Sequence, residues 1–314
     1  MVCGIGYKIM KMSCNRIELT KTEFLAYRAK LIETFKAFDK FCEEHNLTYY
    51  AGGGTLIGAV RHQGIIPWDD DIDVLMLKPD YDRFLALKKQ CKGTGYNILD
   101  YHDKGYYLPF AKFVDSNTSI WEMSQQQFVI GSFVDVFPLC ITDDNEEENQ
   151  YKVDCYKTLF NNYSNGIKSY YLKDLLCQVK HKHLQATIDW IKGAFYYKLR
   201  TQHNLCQFEK YEKELASQKN GDYYLHYYTT YSLKQELYKK EWFSSVVELP
   251  FEGVKIKAPI GYKEYLTQMY GDYMKLPPKE KQVSHHALVY LNLEEHLNIK
   301  EIKKILKSKR GGVI

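Results

Sequence analysis

Residues 49–76 read YYAGGGTLIGAVRHQGIIPWDDDIDVLM, a glycine cluster followed by an acidic run. Four carboxylates, Asp69, Asp70, Asp71 and Asp73, fall within five residues. Charges this close repel one another unless a cation or water separates them. From Asp71 to Leu75 polar and apolar residues alternate, which is the period of a strand. Asp71 and Asp73 then share one face, with Ile72 and Val74 buried on the other. Two convergent carboxylates make a hard-oxygen site suited to Mg²⁺ or Mn²⁺ rather than zinc. Magnesium fills the rest of its shell with water and substrate phosphate, so the pair points to phosphoryl or nucleotidyl chemistry. Gly52, Gly53 and Gly54 suit the same chemistry, because backbone without a Cβ approaches a phosphate closely and successive amides form an anion nest. The cluster is neither a P-loop nor a dinucleotide fingerprint: no Gly-Lys-Ser/Thr follows it, and G-x-G-x-x-G is absent. The bland alternative is a solvated acidic turn after a glycine turn.

Outward from this stretch, Tyr49-Tyr50 reads as a short strand and Thr55 to Val60 as a helix whose N-terminus aims at the site. Upstream, Glu23 to Asn46 carries Phe24, Tyr27, Leu31, Phe35, Phe38 and Phe41 at helical spacing, with Thr22 as its N-cap. Pro67 and Trp68 are expected to fix the loop that delivers the acidic strand. Downstream, a helix is predicted over 80–91 and strands over 97–101, 108–115 and 133–139. In the last of these, Asp135 is one carboxylate among apolar neighbours and Pro138. A lone buried charge is costly unless it is paired or binds a metal. A charged connector spans 143–148. Residues 151–219 hold twelve Lys/Arg against six Asp/Glu with many aromatics, a helical region whose basic face suits either solvent or an anionic surface. A hairpin is predicted around 250–253, a helix over 262–270 ended by Gly271, and a last helix over 294–307. Tyr270 and Tyr273 offer rings for a base or a quaternary ammonium, or simply packing.

The order G-G-T-L-I-G-A-V-R-H-x-G-I-I-P-W-D-D-D-I-D from Gly53 to Asp73 closely resembles the signature of the LicD family. These phosphocholine and related phospho-group transferases decorate bacterial surface glycans, include the fukutin-related proteins, and belong to the nucleotidyltransferase-fold superfamily. The segment F-A-K-F-x-D-S-N-T-S-I from Phe110 resembles the family's corresponding strand. The resemblance returns at Lys240-Glu241-Trp242-Phe243, Leu249-Pro250-Phe251-Glu252-Gly253, Ala258-Pro259-Ile260-Gly261-Tyr262, the run from Tyr265 to Tyr273, and Val283-Ser284-His285-His286. It implies an α+β fold with a nucleotidyltransferase-like mixed sheet, flanking helices and a helical insertion. The segments are then an N-terminal extension at 1–20, a catalytic core at 21–143, the insertion at 144–239 and a family-type block at 240–314.

The resemblance also implies chemistry. Asp71, Asp73 and Asp135 form the catalytic and metal-binding triad, holding Mg²⁺ or Mn²⁺. Arg61 and Lys112 hold phosphate oxygens, while Gly52, Gly53, Gly54 and Thr55 cradle a phosphate. His62, His285 and His286 line the substrate cleft. A CDP-activated donor such as CDP-choline passes its substituted phosphate to a hydroxyl of a glycan or lipid-linked glycan, releasing CMP. Two rivals stand beside this phosphotransferase: a nucleotidyltransferase that releases pyrophosphate, and a non-catalytic binding protein on the same fold. The complete carboxylate set argues against the last.

Composition narrows the setting. The chain has 314 residues, a formal net charge of +4 and 28 tyrosines. No basic-aromatic motif for nucleic acid stands out. The eight cysteines are scattered, with no C-x-x-C, and read as free thiols of a reduced compartment. Cys177, His181 and His183 are not at a standard zinc spacing. No run of eighteen apolar residues spans a membrane, and no signal peptide is evident. The expected location is cytoplasmic, with peripheral contact to the inner face of the cell membrane left open.

Overall fold

The computed structural model of the protein describes residues 17–283 and 288–309. Thr20 opens the first helix, α1 (Lys21–Glu44). Its hydroxyl accepts the Glu23 amide at 3.3 Å, and the Glu23 carboxylate returns to the Thr20 amide at 2.8 Å. This reciprocal box needs a glutamate three residues after the cap, which Thr20 has and the predicted cap Thr22 lacks. Tyr27, Leu31, Phe35, Phe38 and Cys42 form the buried stripe of α1.

There follow β1 (Tyr50–Ala51), α2 (Gly53–His62), β2 (Asp73–Leu77), α3 (Lys78–Ala86), β3 (Tyr96–Leu99), β4 (Ala111–Asp115), β5 (Ser119–Trp121) and β6 (Phe133–Thr142). The sheet runs β1-β2-β6-β4-β3. The β2 and β6 strands are parallel and the other neighbours on this path antiparallel. The helix predicted over 80–91 starts earlier, with Pro79 in its first turn, where a missing N–H costs nothing, and tightens to a 3₁₀ turn at Leu87–Cys91.

The insertion comprises α4 (Glu146–Ile167), α5 (Leu172–Lys180), α6 (Leu184–Ile191) and α7 (Thr201–Ala216), with a π-helical stretch at Lys192–Tyr197. Asn145 caps α4 by accepting the Glu148 amide at 3.0 Å. Tyr156 and Phe160 of α4 and Phe208 of α7 share one buried cluster with the sheet residues. Next, β7 (Tyr223–Leu225) pairs with the end of β6, and α8 (Leu233–Glu236) leads to β8 (Tyr238–Lys239).

The predicted hairpin is β9 (Val246–Phe251) and β10 (Val254–Pro259). Its two turn residues, Glu252 and Gly253, have φ of 50° and 75°, the double positive φ that matches hairpin twist. Then α9 (Tyr262–Tyr270) ends at Gly271, φ 66°. Finally β11 (Tyr290–Asn292) pairs with β5, and α10 (Ile299–Lys309) closes the chain. The last helix starts at Ile299 rather than Glu294, because 290–292 is taken up by strand pairing and Asn298 Oδ1 accepts the Lys300 and Glu301 amides. The architecture is α+β: a mixed sheet, flanking helices and a helical insertion between β6 and β7. Among the described residues no helix is long and apolar enough to cross a membrane, and the cysteines Cys42, Cys91, Cys140, Cys155, Cys177 and Cys206 are free.

Candidate active site

Three charged residues stand in one row across the sheet. Asp73 of β2 lies opposite Asp135 of β6, and Asp135 lies opposite Lys112 of β4. Directly paired residues project to the same face. Lys112 is 2 % exposed and Asp135 5 %. The Lys112 ammonium sits 2.6 Å from Asp135 Oδ1 and 3.3 Å over the Phe133 ring. Lys112 was expected to reach substrate phosphates from the cleft. It is on the expected face, but it does not line the cleft: the nearest charge that face offers is Asp135, and in a buried setting the pair neutralises itself. Asp135 stands beside Asp73 on the same face and is buried.

The acidic strand begins two residues later than its alternation suggests, at Asp73. The pattern nevertheless holds through Ile72, whose carbonyl accepts the Asp135 amide at 2.9 Å. Ile72 and Val74 are fully buried, while Asp71 and Asp73 both face the cleft.

The glycines crowd against these carboxylates. Gly53 has φ 47°, and a Cβ there would lie 3.5 Å from Asp73 Oδ2. A Cβ on Gly54 would meet Asp69 Oδ2 at 2.8 Å. Gly52 sits behind them, its amide donating to the Asp73 carbonyl at 3.0 Å. The N-terminus of α2 has no side-chain cap; the Gly53 amide donates instead to the Tyr265 hydroxyl at 3.1 Å. Thr55 was expected to touch substrate, but it is buried and its Oγ1 accepts the Asp73 amide at 2.8 Å. It aligns the start of β2 and does not line the cleft.

The loop before the aspartates is held from outside. Arg28 donates to the carbonyls of Ile65, Ile66 and Pro67 at 3.0–3.2 Å. Glu252, from the hairpin turn, accepts the Ile65 amide at 2.8 Å and pairs with Arg28 at 3.4 Å. Anchoring thus falls to Arg28 and Glu252, with Trp68 exposed to the cleft.

The cleft itself is about 540 Å³. Asp69, Asp71 and Asp73 line it together with Gly54, Arg61, Tyr231, Tyr270 and the loop after α9, including Asp272, Tyr273, Lys275 and Lys281. The Tyr231 and Tyr270 rings meet edge to face at 5.9 Å. Arg61 Nη1 donates to the carbonyls of Tyr273 and Lys275, at 2.6 and 3.3 Å, and so ties this loop to α2. His62 does not line the cleft; it packs edge-on against Trp68. Burial, then the Arg61 and Arg28 charges, lower its pKa from the ordinary histidine value. His285 and His286 lie outside the described residues.

Burial pushes the Asp71 carboxyl well above the usual range, and the charges of Asp73, Asp69, Asp135 and Asp70 add to this in that order. A group in this position gains most from a nearby cation. Asp69, Asp70 and Asp71 bring carboxylate oxygens within 4.8 Å of one another. Among the described residues no other three such side chains converge this way, Cys177, His181 and His183 included. An all-oxygen set of this kind fits Mg²⁺ or Mn²⁺. Asp69 and Asp70 are the carboxylates that sequence reasoning left unassigned, although they stood in the same run. Tyr231, Lys275 and Lys281 carried no signal beyond residue type, whereas Asp272 lay in the family-like run from Tyr265 to Tyr273.

A family model described as LicD/FKTN/FKRP, nucleotidyltransferase domain, matches residues 46–163. Among curated proteins, the chain is 36 % identical over 259 residues to the lipopolysaccharide cholinephosphotransferase LicD of Haemophilus influenzae, covering 79 % of this chain and 90 % of that protein. Shorter matches link it to uncharacterized proteins of Rickettsia typhi (40 % over 78 residues, 25 % of each chain) and Rickettsia prowazekii (37 % over 68 residues, 22 % of this chain and 26 % of the other).

Proposed function

Since the chain belongs to the LicD family, we propose that it is a phosphotransferase that moves phosphocholine from a CDP-activated donor to a hydroxyl of lipopolysaccharide or a related surface glycan, releasing CMP. The similarity to the Haemophilus influenzae enzyme supports the transferred group and the acceptor class. The observation that carries the mechanism is that Asp69, Asp71 and Asp73 line the same cleft as the Tyr231 and Tyr270 rings.

In this reading the donor's pyrophosphate lies over the carboxylates and its choline against the rings. The faces of tyrosine rings attract a quaternary ammonium. The acceptor oxygen bonds to the phosphorus of phosphocholine as the bond from that phosphorus to the CMP oxygen breaks. The acceptor's proton passes to a carboxylate of the cluster. Asp69, Asp70 and Asp71, with Asp73 beside them, would hold Mg²⁺ or Mn²⁺, whose charge would offset that of the pyrophosphate and the leaving CMP. Arg61 stands at the same wall, where its guanidinium reaches phosphate oxygens. Asp135 stands beside Asp73 with its charge balanced by Lys112. Thr55, Arg28 and Glu252 act as positioning residues for the acidic loop and strand.

The test is nucleotide release. The protein is incubated with Mg²⁺ and CDP-choline, CDP-ethanolamine, CDP-ribitol, CDP-glycerol or CTP in turn, beside Asp73→Ala. CMP from CDP-choline alone, absent in the variant, is the expected result. CMP from a different donor changes the transferred group. Pyrophosphate from CTP replaces the reading with nucleotidyl transfer.

A further inference from the structure

Among the described residues, nine of the nineteen exposed large apolar side chains fall within residues 172–199. Leu172, Leu176 and Val179 of α5 recur at steps of four and three residues, and each is more than half exposed. Leu184, Ile188 and Ile191 of α6 repeat the spacing, and Phe195 and Leu199 continue it through the π-helical stretch. Leu184 is 73 % exposed and Leu199 86 %. A stripe at this spacing ordinarily faces a core. Here α6 buries no side chain, and α5 buries only Gln178.

The charges around the stripes have one dominant sign. Lys173, Lys180, Lys182, Lys192, Lys198 and Arg200 are all exposed. The acidic residues of the same segment are Asp174 and Asp189, and both border the cavity that also holds Tyr170 and Trp190. Apolar stripes flanked by exposed lysines have the composition of a helix lying in the headgroup plane of an anionic bilayer. Lysine stems cover apolar surface while the ammonium groups reach lipid phosphates. A second copy of the chain fits less well, because a two-fold interface would set this cationic patch against itself.

We propose that α5, α6 and residues 192–199 form a peripheral docking surface for an anionic membrane. The inference stands on this surface alone and does not rest on the chemistry assigned to the cleft. Its consequence is that the enzyme meets a lipid-anchored acceptor where that acceptor sits.

The experiment is vesicle flotation of the full chain with phosphatidylglycerol-containing vesicles and with phosphatidylcholine vesicles. Two variants accompany it, Leu176→Ser/Leu199→Ser and Lys180→Glu/Lys182→Glu. All four positions are exposed, so thermal unfolding serves as the control for an unchanged fold. The wild type is expected to float with the anionic vesicles only, less so as salt rises. Each variant should lose binding by roughly tenfold or more, the effect of losing a few lysine or side-chain contacts with the bilayer. Absence of binding by the wild type, or equal binding by wild type and variants, overturns the proposal. So does light scattering that shows a dimer which the leucine variant disperses, since the surface is then an interface between copies.

Discussion

Replacing Lys112 by methionine removes the positive member of a buried pair and strands the Asp135 carboxylate. The ammonium is 2.6 Å from that carboxylate, and the ring of Phe133 covers it. Water cannot take its place, because Lys112 and Asp135 are 2 % and 5 % exposed. Breaking a buried pair from one side costs about 3–5 kcal/mol, most of it the cost of an uncompensated charge. At about 2–4 °C per kcal/mol, Lys112→Met should lower Tm by on the order of 10 °C. The double variant Lys112→Met/Asp135→Asn should regain most of that loss, since it removes both charges. In the single variant the carboxyl is easier to protonate when folded than when unfolded. Its deficit should therefore shrink as pH falls and grow as pH rises. Differential scanning calorimetry across pH 4–8, with urea midpoints as a second measure, reads all three. If Lys112→Met melts with the parent while donor affinity falls, Lys112 is a phosphate contact and the ion-pair reasoning is wrong.

Asp71→Asn should abolish turnover yet raise the Tm of the metal-free protein at pH 7, because it relieves a half-buried carboxyl crowded by like charges; Mg²⁺ should stabilise the wild type and leave the variant unmoved. A lower Tm for the metal-free variant would contradict this. Thr55→Val deletes the acceptor of the buried Asp73 amide and should cost about 1–3 kcal/mol together with a fall in kcat, measured by urea unfolding and steady-state kinetics. Glu236 is buried, and desolvation raises its pKa to about 8. The folded state then holds a proton that the unfolded state releases, so stability falls as pH rises from the unfolded value near 4.5 to about 8, by at most about 5 kcal/mol. Glu236→Gln should flatten that slope and match the wild type at pH 4; an unchanged slope would assign the pH dependence elsewhere.

Local chemistry was legible where neighbours in sequence decide it. Ile72 and Val74 alternate with the aspartates and are buried, the hairpin turns on Glu252-Gly253, and α9 ends at Gly271. Asp135 was singled out because a lone charge in an apolar strand needs a partner. What the sequence hid was the identity of that partner. Lys112 lies 23 positions away, and only the pairing of β4 with β6 sets them together. The same holds for Thr55, whose hydroxyl meets the Asp73 amide because α2 folds back on β2, and for Arg28, which reaches the loop at 65–67 from α1. The tyrosines posed a different difficulty. With 28 in the chain, ring type could point to Tyr270 but not to Tyr231, which long-range packing sets against it.

The measurement that bears most directly on the central claim is transfer itself. Purified protein, Mg²⁺, CDP-choline and lipopolysaccharide lacking phosphocholine are combined, and the glycan is examined by mass spectrometry while CMP is followed in the same reaction. The account predicts one phosphocholine on the glycan for each CMP released, with neither formed by Asp73→Ala. An unmodified glycan with CMP retained in the donor, or equal activity in the Asp73→Ala protein, would contradict it.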